Sequence, residues 1–235
     1  MCKSKLLWLL LPTYTTVILG LLFVVFVADK TVTVITEKQP INTRKCVIID
    51  AGHGGIDGGA TSCTGVLESK LNLDVAIRTN DLLHLLGIHT KMIRTEDISI
   101  YKSGKTIAAQ KISDLKERVK IINSTENSVL LSIHMNYFPN PKYRGPQVFY
   151  AAVPGSRELA IIMQKSLNSI DPINMRDIKK ATDIYLMKHI VRPGILIECG
   201  FISNPNEEKM LRDPEYQKLL SCVIGTVTAT YIYNT

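Results

Sequence analysis

Cys46-Val-Ile-Ile49-Asp50-Ala-Gly-His53-Gly-Gly-Ile-Asp57-Gly-Gly-Ala60 decides the fold, because a short apolar run passes straight into a loop with five glycines around one histidine. An unbroken apolar run of this length reads as a strand buried on both faces, the kind that parallel sheets use. The glycines permit tight turns and positive φ, so the backbone can wrap closely around a metal or a substrate. A phosphate cradle is the competing reading. It would need a third glycine at position 57, which is Asp57, and no Gly-Lys-Ser/Thr follows.

Outward from this loop, short apolar runs alternate with longer amphipathic ones. Cys46–Ile49, Thr90–Ile93, Val129–Ile133, Gln147–Ala151 and Ile195–Glu198 read as strands. Leu67–Leu86, Ile112–Ile122, Ser156–Leu167, Asn206–Leu211 and Pro214–Tyr231 read as helices. The alternation predicts a single α/β domain with a mainly parallel, mixed sheet flanked by helices on both faces. No internal repeat or low-complexity tract interrupts it.

Toward the N-terminus the chain changes character. Leu6–Val27 carries no charge over about 22 positions, enough to span hydrocarbon as a helix. Bulky residues before Ala28 argue against a small-x-small cleavage site, so the segment reads as an uncleaved anchor rather than a removed signal. Lys3 and Lys5 on its short side put the remainder outside the cytoplasm by the positive-inside tendency. The expected division is residues 1–30 as anchor, 31–44 as stalk with Pro40, and 45–235 as catalytic domain. The expected location is the cell membrane, single-pass, with the catalytic domain extracytoplasmic, or secretion if the segment is cleaved.

The net charge of +7 falls to +5 once Lys3, Lys5, Lys30 and Asp29 are set aside. A modest surplus suits an anionic wall or headgroup surface, whereas nucleic-acid binding would want a dense basic stripe with a reading element, and none is visible. Five scattered cysteines without a Cys-x-x-Cys pair indicate neither a disulfide framework nor a cysteine metal site; they are expected to be small buried hydrophobes.

Four polar residues end or follow expected strands or open a helix: His53, Glu68, His134 and Glu198. In open parallel sheets the ligand site lies beyond the carboxyl ends of the strands, so the chain delivers these groups to one edge. Two imidazoles and one carboxylate suit catalytic zinc, since three protein ligands leave a fourth position open, and a second carboxylate can serve as base. Each residue alone has a structural explanation. Glu68 suits a helix N-terminus, and a histidine at a strand end is as often structural as functional. Glu198 is harder to explain away, since a carboxylate beside buried strand residues is costly unless paired, metal-bound or protonated. His84 and His89, flanking Gly87 near a helix end, are read as structural, and His189 as solvent-facing in preference to a place near the site.

Taken together the chain resembles the zinc-dependent N-acetylmuramoyl-L-alanine amidases from about Val47 to Tyr231. The resemblance rests on Ile48-Ile-Asp-Ala-Gly-His-Gly-Gly55, Glu68-Ser-Lys-Leu-Asn-Leu73, the Arg94-Thr-Glu-Asp97 turn, Leu131-Ser-Ile-His-Met-Asn136 and Glu198-Cys-Gly-Phe-Ile-Ser-Asn204, in family order. Met135 stands where the family more often has Ala.

The resemblance implies Zn²⁺ held by His53, Glu68 and His134, Glu198 as the catalytic carboxylate, and peptidoglycan as substrate. It also implies the spore-cortex, germination-related branch, whose members remove stem peptides on the way to muramic δ-lactam. A three-ligand site leaves room for an accessory protein that aids recruitment or zinc binding. Two rival readings are another zinc peptidase or deacetylase of the wall, and a catalytically silent wall-binding scaffold.

Overall fold

The five apolar runs and one short polar pair become six strands within residues 45–235, the part of the chain that the computed structural model describes: β1 (Cys46–Ala51), β2 (Thr90–Met92), β3 (Ser128–Asn136), β4 (Gln147–Tyr150), β5 (Lys179–Lys180) and β6 (Gly194–Phe201). The candidate anchor Leu6–Val27 and the stalk lie outside these residues. Among the described residues no helix is long and apolar enough to cross a membrane.

The sheet order is β2-β1-β3-β6-β4-β5. Strands β2, β1, β3 and β6 run parallel, β4 is antiparallel to β6, and β5 is parallel to β4. The expected α/β architecture with a mixed sheet is therefore present. Among the described residues six helices accompany it: α1 (Glu68–Leu85), α2 (Ile107–Ser124), α3 (Ser156–Ile170), α4 (Tyr185–His189), α5 (Pro205–Leu211) and α6 (Pro214–Tyr233).

The two faces of the central strands belong to two separate cores. Val47, Ile49, Leu131, Ile133, Ile195 and Ile197 point into the larger one, which also takes Val75 of α1, Met163 of α3 and Ile224 of α6. Ile48, Leu130 and Leu196 point the other way, toward Ile122 of α2 and Leu186 of α4. Because side chains alternate along a strand, Asp50, Ser132, His134 and Glu198 fall on this second face. Helices α2 and α4 cover that face beside the apolar residues, and the polar positions follow them toward the carboxyl ends of the strands.

Some expectations need correction. The short β5 and α4 were not anticipated. Lys179 and Lys180 are both exposed, so they carry no apolar alternation, and five residues are too few for helical periodicity. Strands β3 and β6 run past Ile133 and Glu198, since backbone pairing continues through His134 with Glu198 and, across a bulge, Asn136 with Phe201. Helix α2 begins before Ile112, at Ile107, because Thr106 caps it by accepting a hydrogen bond from the Ala109 amide (3.2 Å). Cys46 and Cys199 are buried as expected, but Cys63 and Cys222 are exposed: one sits in a turn and the other on the outer side of α6.

Candidate metal centre and active site

Three chain segments converge at the ends of β1 and β3. His53 lies on the glycine loop after β1, Glu68 is the first residue of α1, and His134 stands near the end of β3. Their ligand atoms all lie within 4.8 Å of one another. Glu68 Oε1 is 3.3 Å from His53 Nε2 and 3.0 Å from His134 Nδ1.

A tetrahedral zinc centre with bonds of 2.0–2.1 Å places neighbouring ligand atoms about 3.3 Å apart, and the two spacings from Glu68 to the imidazoles match it. Asp57 supports the fit by holding His53 Nδ1 at 2.8 Å, which leaves Nε2 facing Glu68. A carboxylate on the far nitrogen is how metal-binding imidazoles are commonly oriented. Asp57 is in turn paired with Lys111 of α2 at 2.6 Å.

Local backbone shape makes this convergence possible. His53 has φ 61°, a left-handed conformation uncommon outside glycine and often found at functional sites. The His134 ring lies so close over Gly52 that a Cβ there would meet it at 2.1 Å. At Gly59, with φ 69°, a Cβ would meet Glu68 Oε2 at 2.6 Å and the His53 ring at 2.8 Å. These two glycines are required by the closeness of the site's own side chains.

Glu68 is only 4% exposed and accepts hydrogen bonds from the Ala60 amide (3.0 Å) and Asn72 Nδ2 (3.3 Å). Burial alone would raise its pKa, but the two imidazoles outweigh that and hold it well below the usual carboxylate range. Burial likewise disfavours the His53 cation, yet the Asp57 and Glu68 carboxylates lift its pKa to about 9 in the metal-free protein.

Glu198 faces a different environment. It pairs in register with His134 across β3 and β6, and its Oε2 is shut from solvent with no hydrogen-bond partner. Burial raises its pKa to about 7, reinforced by Glu68 and opposed by the two histidines. A carboxyl group poised near neutrality beside a metal-ligand set is suited to general acid–base work.

Beneath the loop lies a layer that sequence reasoning missed. Arg118 of α2, 2% exposed, pairs with Asp50 and with Asp114 (2.5 Å) and donates to the carbonyls of Ala51 (3.0 Å) and His53 (2.7 Å). Arg94 donates to the carbonyls of Ala51 (2.8 Å), Gly52 (2.9 Å) and Ser69 (2.8 Å). The two guanidiniums therefore hold the loop's carbonyls in place from below. The available signals were Asp50 inside an apolar strand and the i, i+4 pair Asp114/Arg118 on one helix.

Removing one partner of a buried ion pair strands the other, at a cost of about 3–5 kcal/mol. Arg118→Ala should therefore lower the thermal midpoint by roughly 10 °C. Adding Asp50→Asn should recover part of the loss in calorimetry. No recovery would mean that Arg118 acts through its carbonyl contacts alone.

A cavity of about 360 Å³ opens beside His53 and His134. Leu115, Ile184, Tyr185, Leu186 and Leu196 supply its apolar lining, and Lys111 adds a cation. Exposed His189 lies at the edge of this cavity, stacked on Tyr185 at 4.0 Å, whereas His84 contacts Thr90 Oγ1 at 2.5 Å.

A model of the N-acetylmuramoyl-L-alanine amidase family matches residues 47–228, a span that contains all four site residues. The chain is 39% identical over 175 residues to the germination-specific N-acetylmuramoyl-L-alanine amidase of Bacillus subtilis, covering 74% of this chain and 73% of that one. It is 29% identical to the N-acetylmuramoyl-L-alanine amidase LytC of the same organism, but spans only 36% of LytC's length. Among solved structures, it superposes with a TM-score of 0.77 and 36% identity on the CwlD amidase of Clostridioides difficile, solved in complex with the GerS lipoprotein. That match covers 81% of this chain and 100% of the other.

Proposed function

Because this chain belongs to the N-acetylmuramoyl-L-alanine amidase family, we propose that His53, Glu68 and His134 hold a zinc ion with which Glu198 hydrolyses the bond between N-acetylmuramic acid and L-alanine. The protein is a peptidoglycan amidase. Family membership favours this bond over those of a peptidase or deacetylase, and the complete set of four groups speaks against a silent scaffold.

Zinc, when bound, supplies the Lewis acidity that makes water nucleophilic near neutrality and polarises the lactyl carbonyl. The chain's own residues do the rest. Glu198, as a carboxylate, takes one proton from the attacking water while the water oxygen bonds to the carbonyl carbon. The same group then delivers that proton to the alanine nitrogen as the C–N bond breaks. Asp57 keeps His53 oriented, and Gly52 leaves room for the His134 ring.

The observation that carries this reading is the meeting of two imidazoles and Glu68 beside a carboxyl oxygen with no other partner. The 39% identity to a germination-specific amidase supports a role on spore-cortex peptidoglycan, in the branch that leads to muramic δ-lactam. Similarity to an amidase solved with a lipoprotein supports an accessory protein that recruits this chain or strengthens its hold on zinc. The uncharged Leu6–Val27 segment supports a membrane-anchored, extracytoplasmic enzyme with residues 45–235 as its catalytic domain.

Incubation of the zinc-loaded full-length protein with purified peptidoglycan, followed by mass spectrometry, tests the reaction. Stem peptides with a free N-terminal L-alanine are expected. Cleavage inside the stem peptide, or loss of acetyl groups alone, would overturn it.

A further inference from the structure

The bond to be cut joins a linear glycan to a short peptide branch, so the two parts of the substrate leave the centre in different directions. This reasoning rests on the amidase reading above. A branch with a free end can enter the cavity between α2 and α4. A polymer that continues both ways needs an open surface.

Such a surface lies past the carboxyl ends of β3 and β6. Tyr137 and Phe138 follow the last residue of β3 and are 51% and 44% exposed, and Tyr143 is 44% exposed. Phe138 and Tyr143 form a tilted pair with centroids 4.4 Å apart, and Tyr143 lies 6.2 Å from Phe201. Contiguous exposed aromatic surface calls for a ligand.

The loop that carries the rings is pinned. Ser203 Oγ accepts from the Phe138 amide (3.0 Å), Asn204 donates to the carbonyls of Pro141 (2.8 Å) and Tyr143 (3.3 Å), and Glu207 accepts from the Gly145 amide (2.9 Å). Arg176 lies over the Phe201 ring at 4.7 Å and donates to Arg144 O (2.8 Å) and Gln147 Oε1 (3.1 Å). Rings held this way are presented with little ordering entropy left to lose on binding.

A pyranose has an apolar C–H face, attracted to the negative face of an aromatic ring, and hydroxyls around its edge that suit Asn and Arg. Phe138 is four chain steps from His134, at most roughly 14 Å, so the platform lies within a few sugar units of the scissile bond. We infer that Phe138 and Tyr143 form a stacking platform that binds the pyranose rings of the glycan strand next to the muramoyl unit being cleaved.

The test compares the zinc-loaded full-length protein with Phe138→Ala and Tyr143→Ala on two substrates. One is polymeric peptidoglycan and the other a soluble single-sugar muramoyl peptide with the same amide bond. Loss of an aromatic contact should cut kcat/KM on the polymer about tenfold through a raised KM, leave the single-sugar substrate and zinc content unchanged, and be rescued by Phe138→Tyr. Equal losses on both substrates would mark the rings as structural, and no loss on either would overturn the platform. If the wild type cleaves only one substrate or neither, co-sedimentation with peptide-free glycan strands decides. Retention of the wild type with release of the variants upholds the platform, while equal retention or none overturns it. Glycan retention without any cleavage would separate failure of the amidase reading from failure of this one.

Discussion

Glu198→Gln is expected to keep its zinc and lose amidase turnover by a factor of about 10²–10⁴, the usual contribution of a positioned acid–base group. The substitution keeps the volume and removes only the ability to take up and return a proton. Release of L-alanine-terminated peptides, with zinc content measured on the same samples, checks it. Normal turnover with full zinc would remove Glu198 from the reaction.

The same variant carries a stability signature in metal-free protein. The Glu198 pKa is raised from 4.5 to about 7. As pH rises through that window the unfolded chain releases a proton that the folded chain retains, so Glu198 increasingly opposes folding. The deficit is absent below pH 4.5 and complete above about 7. It amounts to at most about 3 kcal/mol, because part of the side chain still reaches solvent. Metal-free Glu198→Gln should therefore melt above wild type at pH 8 and together with it near pH 4. A constant difference at all pH values would assign the effect to packing.

His134→Ala should abolish stoichiometric zinc and with it essentially all turnover, since it removes one of three ligands. Equilibrium dialysis against zinc reads the first effect and peptide release the second. Stoichiometric zinc in the variant would overturn the ligand assignment. Wild-type binding should also depend on pH. With its pKa lifted to about 9, His53 must give up a proton to bind metal, so zinc affinity should fall by about tenfold from pH 8 to pH 7. Affinity independent of pH across this range would mean that His53 is already neutral there and that its two carboxylate neighbours do not hold the proton on it.

Much of this protein was legible in one dimension. The apolar runs around Ile48, Leu130 and Leu196 announced three buried parallel strands, because burial on both faces leaves an unbroken apolar signal. The glycines beside His53 and the stranded carboxylate of Glu198 stood out because each is costly without a purpose. Five of the six helices were legible with boundaries within a turn, apart from the start of α2, where the cap lies ahead of the apolar pattern.

Tertiary structure alone decided which of these groups meet. His53 and His134 are 81 positions apart, and their closeness depends on the parallel register that sets Ala51 opposite Ile133. A slip of one residue in β3 would turn His134 into the opposite core and carry the site away, and no local pattern encodes that register. Apart from its i, i+4 spacing to Asp114, nothing in the linear pattern sets Arg118 apart from the other charges of its helix. Only the placement of α2 over β1 makes it the buried counter-charge of Asp50 and the support of the His53 carbonyl. Chain periodicity reveals which residues seek burial, whereas the partners found there depend on contacts between segments distant in sequence.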